Sequence, residues 1–475
     1  MSLSSSPAAS TALESTALES TAPESTAPAS PASTSPAQPE ACGLGPYPPR
    51  SAYLHIPFCH RRCFYCDFPV VPLGDRAGSA AGEPGAASIE AYLALLQREI
   101  AASDAGPPLA TIYFGGGTPS LLAPAQVLAL IEALERRFGI AAGAEITLEL
   151  DPASFDRQRL AAYLRAGVNR VSLGGQNFDD QVLASLGRRH RRQDLIDAAS
   201  WLAQAQARGQ LRSWSLDLIQ ALPGQQLEHW RSQLQQAAAL QPPHLSIYDL
   251  TIEPGTVFAR RLERGQLQLP DGDLAADLME LTQALLIGAG YGHYEISNYA
   301  LPGHASRHNR VYWSGAGWWG FGMGATAAPW GVRQARPRTR ELYGRWLAAQ
   351  LRSRPGQPPP GPDAHGHLPG GQGMPFDERL MVGLRRREGV QLPRLLAEAG
   401  LEPARLEELA QLMEPFTAQR LLLVEGSRWR LSDPRGLALS NAVLRPLLAW
   451  WDQILQRSSA AASPPPAASP AAGQG

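Results

Sequence analysis

Residues 53–68 read YLHIPFCHRRCFYCDF. The run Tyr53 to Ile56 is aromatic and apolar in the manner of a short strand, and it leads straight into a Cys59-x3-Cys63-x2-Cys66 loop. In parallel α/β sheets ligands gather at the carboxyl ends of the strands, so thiols in this position predict a site. Three neighbouring thiols cannot all pair, and the only other cysteine is Cys42, so no disulfide framework exists and a reducing, cytoplasmic setting is expected. Three thiolates on one tight loop can hold three irons of a [4Fe-4S] cube and leave the fourth iron open. Zinc is the alternative, with His55 or His60 as a fourth ligand.

Outward from this loop, short β-branched or aromatic runs alternate with helical patterns. Strands are expected at Tyr53 to Ile56, Thr111 to Phe114, Ile146 to Leu150, Arg170 to Leu173, Ser215 to Ile219 and Leu245 to Leu250. Helices fit between them, for example Ile89 to Ala101, Pro124 to Phe138, Gln193 to Arg208 and Glu228 to Leu240. About six βα units in a row predict an α/β fold with a parallel sheet, open or curled into a partial or full (β/α) barrel. The second strand ends in Gly115-Gly116-Gly117-Thr118-Pro119, where glycines let backbone amides approach a ligand.

The rest of the chain frames this core. Residues 1–48 form a Ser/Ala/Thr/Pro/Glu segment with a five-residue repeat from Ser10 to Ser30, too poor in apolar bulk to offset the entropy of ordering. A barrel over 49–353 is followed by a Pro/Gly-rich linker at 354–375, a second domain at 376–457 and an Ala/Ser/Pro tail at 458–475. In the second domain Phe376 to Glu388 and Leu401 to Met413 read as helices and Arg420 to Leu431 as a hairpin turning at Glu425-Gly426-Ser427, a small α+β winged-helix-like unit. With 42 basic against 43 acidic residues there is no global charge to attract nucleic acid, and no apolar run is long enough to suggest an integral membrane segment. All the basic residues are arginine, which removes P-loop and Schiff-base lysine chemistry.

Taken together, the Cys-x3-Cys-x2-Cys loop and the GGGTP turn resemble the radical S-adenosylmethionine (SAM) superfamily. IPFC before the cluster, TLELDP (147–152), RVSLGGQNFDD (170–180), LGRRH (186–190), DLIQALPGQ (217–225) and IEPGT (252–256) narrow the resemblance to its coproporphyrinogen oxidase-like branch. That branch comprises the oxygen-independent coproporphyrinogen III oxidases (HemN) and the heme chaperones (HemW), and the resemblance spans about residues 50 to 450. It implies a partial (β/α)6 TIM-like barrel, a [4Fe-4S] cluster on Cys59, Cys63 and Cys66, and SAM chelated to the open iron. It also implies SAM contacts from Tyr53, Tyr65, Gly116, Gly117, Thr118, Glu149, Gln176, Arg188 and Asp217. Electrons would come from a small reductant such as flavodoxin or ferredoxin, and a homodimer is an expectation.

Two features separate the branches. The oxidase pattern places a fourth cysteine two residues beyond the third, where this chain has Phe68, which counts against porphyrin biosynthesis by oxidative decarboxylation. Residues 308–313 read HNRVYW, matching the His-Asn-x-x-Tyr-Trp motif of the heme chaperones, within a segment 304–327 rich in glycine and tryptophan. The resemblance therefore implies a heme chaperone that delivers heme to acceptor apoproteins, with His308 as candidate heme ligand and no catalytic acid or base assigned. Coproporphyrinogen III oxidation is the alternative. Related sequences often carry a histidine after the Gly-Ala of this segment, where this chain has Thr326.

Overall fold

The computed structural model describes residues 49–353, apart from 81, 330 and 332, and residues 374–462. The expected N-terminal tail with Cys42, most of the linker and the end of the C-terminal tail lie outside the described residues.

Six strands lie side by side in chain order: β1 (Ser51–Ile56), β2 (Leu109–Gly116), β3 (Ile140–Leu150), β4 (Arg170–Gln176), β5 (Ser213–Gln220) and β6 (His244–Asp249). All five pairings among them are parallel. The helices that return the chain are α1 (Ala86–Ala102), α2 (Pro124–Phe138), α3 (Arg157–Arg165), α4 (Arg192–Ala207), α5 (Leu227–Ala239) and α6 (Gly272–Gly288). Helix α2 shows why: Pro124 opens it, Gln126 accepts from the Ala123 amide, and Val127, Leu130, Ile131, Leu134 and Phe138 form one buried stripe. The alternation of the strands then sorts two faces. Ile112, Phe114, Leu148, Val171, Leu173, Leu216 and Ile247 pack into the large apolar cluster with Ile89, Leu130 and Leu134 of the helices.

Three further strands complete the sheet. β7 (Gly292–Glu295) and β8 (Asn298–Ala300) add antiparallel beyond β6, and β9 (Trp319–Phe321) adds parallel at the free side of β1. The two edges, β9 and β7, do not pair, so the sheet is a partial barrel of (β/α)6 type with extended margins. Helix α7 (Arg307–Ser314) lies between β8 and β9 and carries the HNRVYW segment.

The C-terminal part is a small α+β domain. Helices Phe376–Leu384, Leu392–Glu398 and Arg405–Ala418 surround a three-stranded antiparallel sheet in the order Val390–Gln391, Arg428–Leu431, Leu422–Glu425. Its core joins Phe376, Leu380, Leu396, Leu409, Met413, Trp429, Leu447 and Trp450. The first helix stops at Leu384, short of the expected Glu388, because residues 385–387 turn to pair with β7: the Ile296 amide donates to the Arg385 carbonyl and the Arg387 amide to that of Tyr294. The final helix, Ser440–Ala462, runs beyond the expected boundary at 457.

Candidate functional site

The loop that leaves β1 is pinned at both ends. Phe58–Cys59 pairs with Val71–Pro72, and the Thr118 amide donates to the Phe58 carbonyl, so the Gly-rich turn after β2 lies against the cysteine loop. Gly117 is required here: a Cβ would sit 2.7 Å from the Phe58 carbonyl oxygen, a backbone atom that cannot give way. Gly116 takes φ +116°, and a Cβ there would meet the His55 ring at 2.6 Å. The glycines are thus required for the turn to pack against the cysteine loop.

Cys59, Cys63 and Cys66 are half-buried and line one cavity of about 410 Å³ with Tyr65, Gly116, Gly117, Thr118, Glu149, Gln176, Arg188 and Asp217. Eleven of the twelve expected cluster and SAM residues therefore line this cavity, and Tyr53 is the exception. It lies one layer down, its hydroxyl 3.1 Å from His55 Nδ1 and its ring stacked on Tyr113. Burial pushes the Cys59 thiol up to about 12 and the Cys66 thiol up to about 11, so neither is an exposed reactive thiolate. Two donors face the sulfurs, Thr118 Oγ1 at 3.5 Å from Cys59 Sγ and Arg188 Nη1 at 3.8 Å from Cys63 Sγ.

Arg188 is held from behind by Asp151, whose Oδ2 accepts from Nη2 at 2.7 Å. Burial alone would raise the Asp151 carboxyl, but the Arg188 guanidinium and His190 hold it well below the usual carboxylate range. Glu149 accepts from the Gly116 amide at 3.1 Å and from the Tyr113 hydroxyl at 2.9 Å, yet burial pushes it up to about 7. Asp217 accepts from Ser172 and Ser215 and is also raised by burial. Gln176, at the end of β4, sits at φ +63°, a left-handed conformation that costs a non-glycine residue energy and clusters at functional sites. Sequence reasoning did not single out Asp151, Tyr248, Asp249, His60 or Phe68 as lining this cavity. Asp151 was within reach, being the second acid of TLELDP after Glu149.

The fit to a [4Fe-4S] cluster rests on the donor set. Three thiols line one cavity, and among the described residues no three Cys, His, Asp or Glu side chains converge as a single-ion shell. His55 spends both ring nitrogens on Tyr53 and the Pro69 carbonyl. Separate iron corners of a cube suit this spread better than one tetrahedral zinc.

His308 lies elsewhere. It is wholly buried on α7, beneath the lumen of the barrel, with Nδ1 2.7 Å from Thr111 Oγ1, Nε2 2.8 Å from the Tyr312 hydroxyl and its ring stacked on Tyr113. Burial lowers the imidazole to about 3, so it is neutral. Both ring nitrogens are engaged in this conformation. The helix itself is seated by Glu145, which accepts from the Ser306 hydroxyl and from the amides of Arg307 and His308 at 3.1 and 3.0 Å.

Comparison with known proteins agrees with this architecture. A sequence model of the radical SAM superfamily matches residues 53–235. The parallel strands in chain order, with the three-cysteine loop after the first, define a radical SAM protein. A heme chaperone HemW of Synechocystis sp. is 40% identical over 421 residues, covering 84% of this chain and 97% of the relative. The heme chaperone HemW of Escherichia coli is 40% identical over 311 residues, covering 64% of this chain and 78% of the relative. Among solved structures, the radical SAM coproporphyrinogen III oxidase HemN of Escherichia coli superposes with a TM-score of 0.66 at 22% identity, over 85% of this chain and 90% of the other, a likeness of fold. The chain belongs to the HemW family.

Proposed function

We propose that this chain is a heme chaperone that binds heme and delivers it to acceptor apoproteins, with a [4Fe-4S] cluster on Cys59, Cys63 and Cys66 and SAM at the open iron. Family membership supports the heme reading, and one observation in the chain itself carries it against the oxidase alternative: position 68, the fourth cysteine of the oxidase pattern, is an exposed phenylalanine on the cavity wall. When bound, the cluster would supply one electron at a time to the sulfonium of the SAM whose amine and carboxylate hold its open iron. The protein's own part is positional. Gly116 and Gly117 bring backbone within reach of the ligand, Glu149 and Asp217 offer carboxylate acceptors for its amine and hydroxyls, and Arg188 is fixed by Asp151 to meet a carboxylate. A flavodoxin or ferredoxin as reductant and a cytoplasmic location belong to the same reading. Among the described residues no helix is long and apolar enough to cross a membrane.

His308 can reach a heme iron only if Tyr312 releases Nε2 and the ring leaves the lumen. The test of the carrier reading is an anaerobic heme titration of the cluster-reconstituted protein, followed by mixing with an apo heme protein. Stoichiometric binding and transfer are expected. Formation of protoporphyrinogen from coproporphyrinogen III under the same conditions would replace it with the oxidase.

A further inference from the structure

We propose that the heme iron is ligated by His60, at the rim of the cluster cavity, with the macrocycle against Phe68 and the propionates on the neighbouring arginines. The inference rests on the heme-carrier reading and specifies where the cargo sits.

His60 has the arrangement of a prepared axial ligand. Its Nδ1 lies 3.1 Å from the Gly74 carbonyl oxygen, which can only accept, so Nδ1 carries the proton and the lone pair is on Nε2. Nε2 has no hydrogen-bond partner among the described residues, and the side chain lines the cavity. A backbone carbonyl on the far nitrogen fixes both the tautomer and the ring plane, as metal-bound histidines commonly require. His308 is the opposite case, with both nitrogens bonded and no exposure.

The same wall supplies the two other elements that a heme requires. Phe68 is 56% exposed and lines the cavity with Val70, so the wall offers an aromatic face on which a planar ring can stack. Arg61, Arg62 and Arg189 line the same cavity. Arg61 and Arg189 share one carboxylate, Asp75, and Arg62 makes no ion pair among the described residues, so this rim keeps a local positive excess on a chain of net charge −1. Guanidinium groups at a rim are the natural partners of two carboxylates on a planar ligand. The inner wall, from the cysteines to Glu149 and Asp217, is left for cluster and SAM.

The experiment is a ferric heme titration of the full-length, cluster-reconstituted protein, read by the Soret band and by the low-spin ferric EPR signal, to which an oxidised [4Fe-4S] cluster contributes nothing. His60→Ala is expected to weaken binding about 10-fold or more and to abolish the histidine-ligated signal, with free imidazole restoring it. Phe68→Ala is expected to weaken binding by about 2- to 10-fold, the weight of one ring stack. His308→Ala should retain the wild-type signal. His60 is half-buried, and far-UV circular dichroism of the variant checks that it folds. Wild-type binding by His60→Ala together with loss in His308→Ala would overturn the assignment and leave the carrier reading standing. Absence of specific binding in the wild type would overturn both.

Discussion

Glu149 shows how one residue ties the fold to the chemistry. It stands on the lumen face of β3, takes its two hydrogen bonds from the strand beside it, and is held near pH 7 by burial. In an unfolded chain it ionises near 4.5, so between about 4.5 and 7 the native state holds an extra proton and stability falls as pH rises through that window. Glu149→Gln removes the effect, and its urea midpoint should vary less than the wild type's between pH 5 and 8. A SAM cation beside the carboxylate draws the proton off, so binding near pH 6.5 should release a proton to the buffer and tighten as pH rises. Calorimetry in buffers of different ionisation heat measures this, and no proton release would remove Glu149 from the SAM site. Gly117 acts by space rather than charge: Gly117→Ala pushes a Cβ onto the cysteine loop, and loss of cluster incorporation, counted as iron per chain, is the expected result.

At the scale of elements, α7 is the piece whose placement matters most. Its first amides rest on Glu145, a carboxylate buried in the barrel with Arg170 at 4.0 Å, so the HNRVYW segment is fastened to the lumen by one side chain. Glu145→Ala strands those donors and leaves Arg170 without its counter-charge, a loss of about 3–5 kcal/mol in urea denaturation. Glu145→Gln keeps an acceptor and should cost less. Hydrogen exchange should show the amides of 307–309 opening first in the alanine variant. Much of the fold could be read beforehand because each βα unit carries its own local signals: a β-branched run, a turn, a helix with one apolar stripe. Strands β1 to β6 and helices α1, α2, α4 and α5 follow those signals. The sequence hid β7, β8 and β9, which are only three or four residues long and owe their existence to neighbours distant in the chain. It hid α7 too, because the helix is only eight residues long and its start is held by the Ser306 cap and by Glu145, a side chain more than 160 residues earlier. That the candidate residues would gather in one cavity was legible because they lie toward the carboxyl ends of strands of the same parallel sheet or in the loops that follow, which converge. The closed state of His308 was not, because Thr111 and Tyr113 come from a strand almost 200 residues earlier.

At the scale of the whole molecule, the C-terminal domain is joined to the barrel through β7. Beyond the backbone pairing of residues 385–387, His293 Nδ1 lies 2.9 Å from Asp433 Oδ1 and Arg310 bonds Glu388 at 2.6 Å. Removing residues 374 onward would uncover an unpaired strand edge and the apolar face of Ile296, so the truncated barrel is expected to form larger species than the full chain in size-exclusion chromatography. The barrel's interior has a different consequence. Where a common (β/α) barrel fills its middle with branched aliphatic side chains, this one lines it with Glu145, Thr147, Glu149, Arg170, Ser172, Asp217 and His244. Newly hydrated polar groups lower the heat capacity of a melted chain while apolar ones raise it. Scanning calorimetry should therefore give an increment below the usual ~12–15 cal/mol/K per folded residue. The result is a shallow stability curve, which keeps the protein folded over a wide span of temperature and gives up little on cooling.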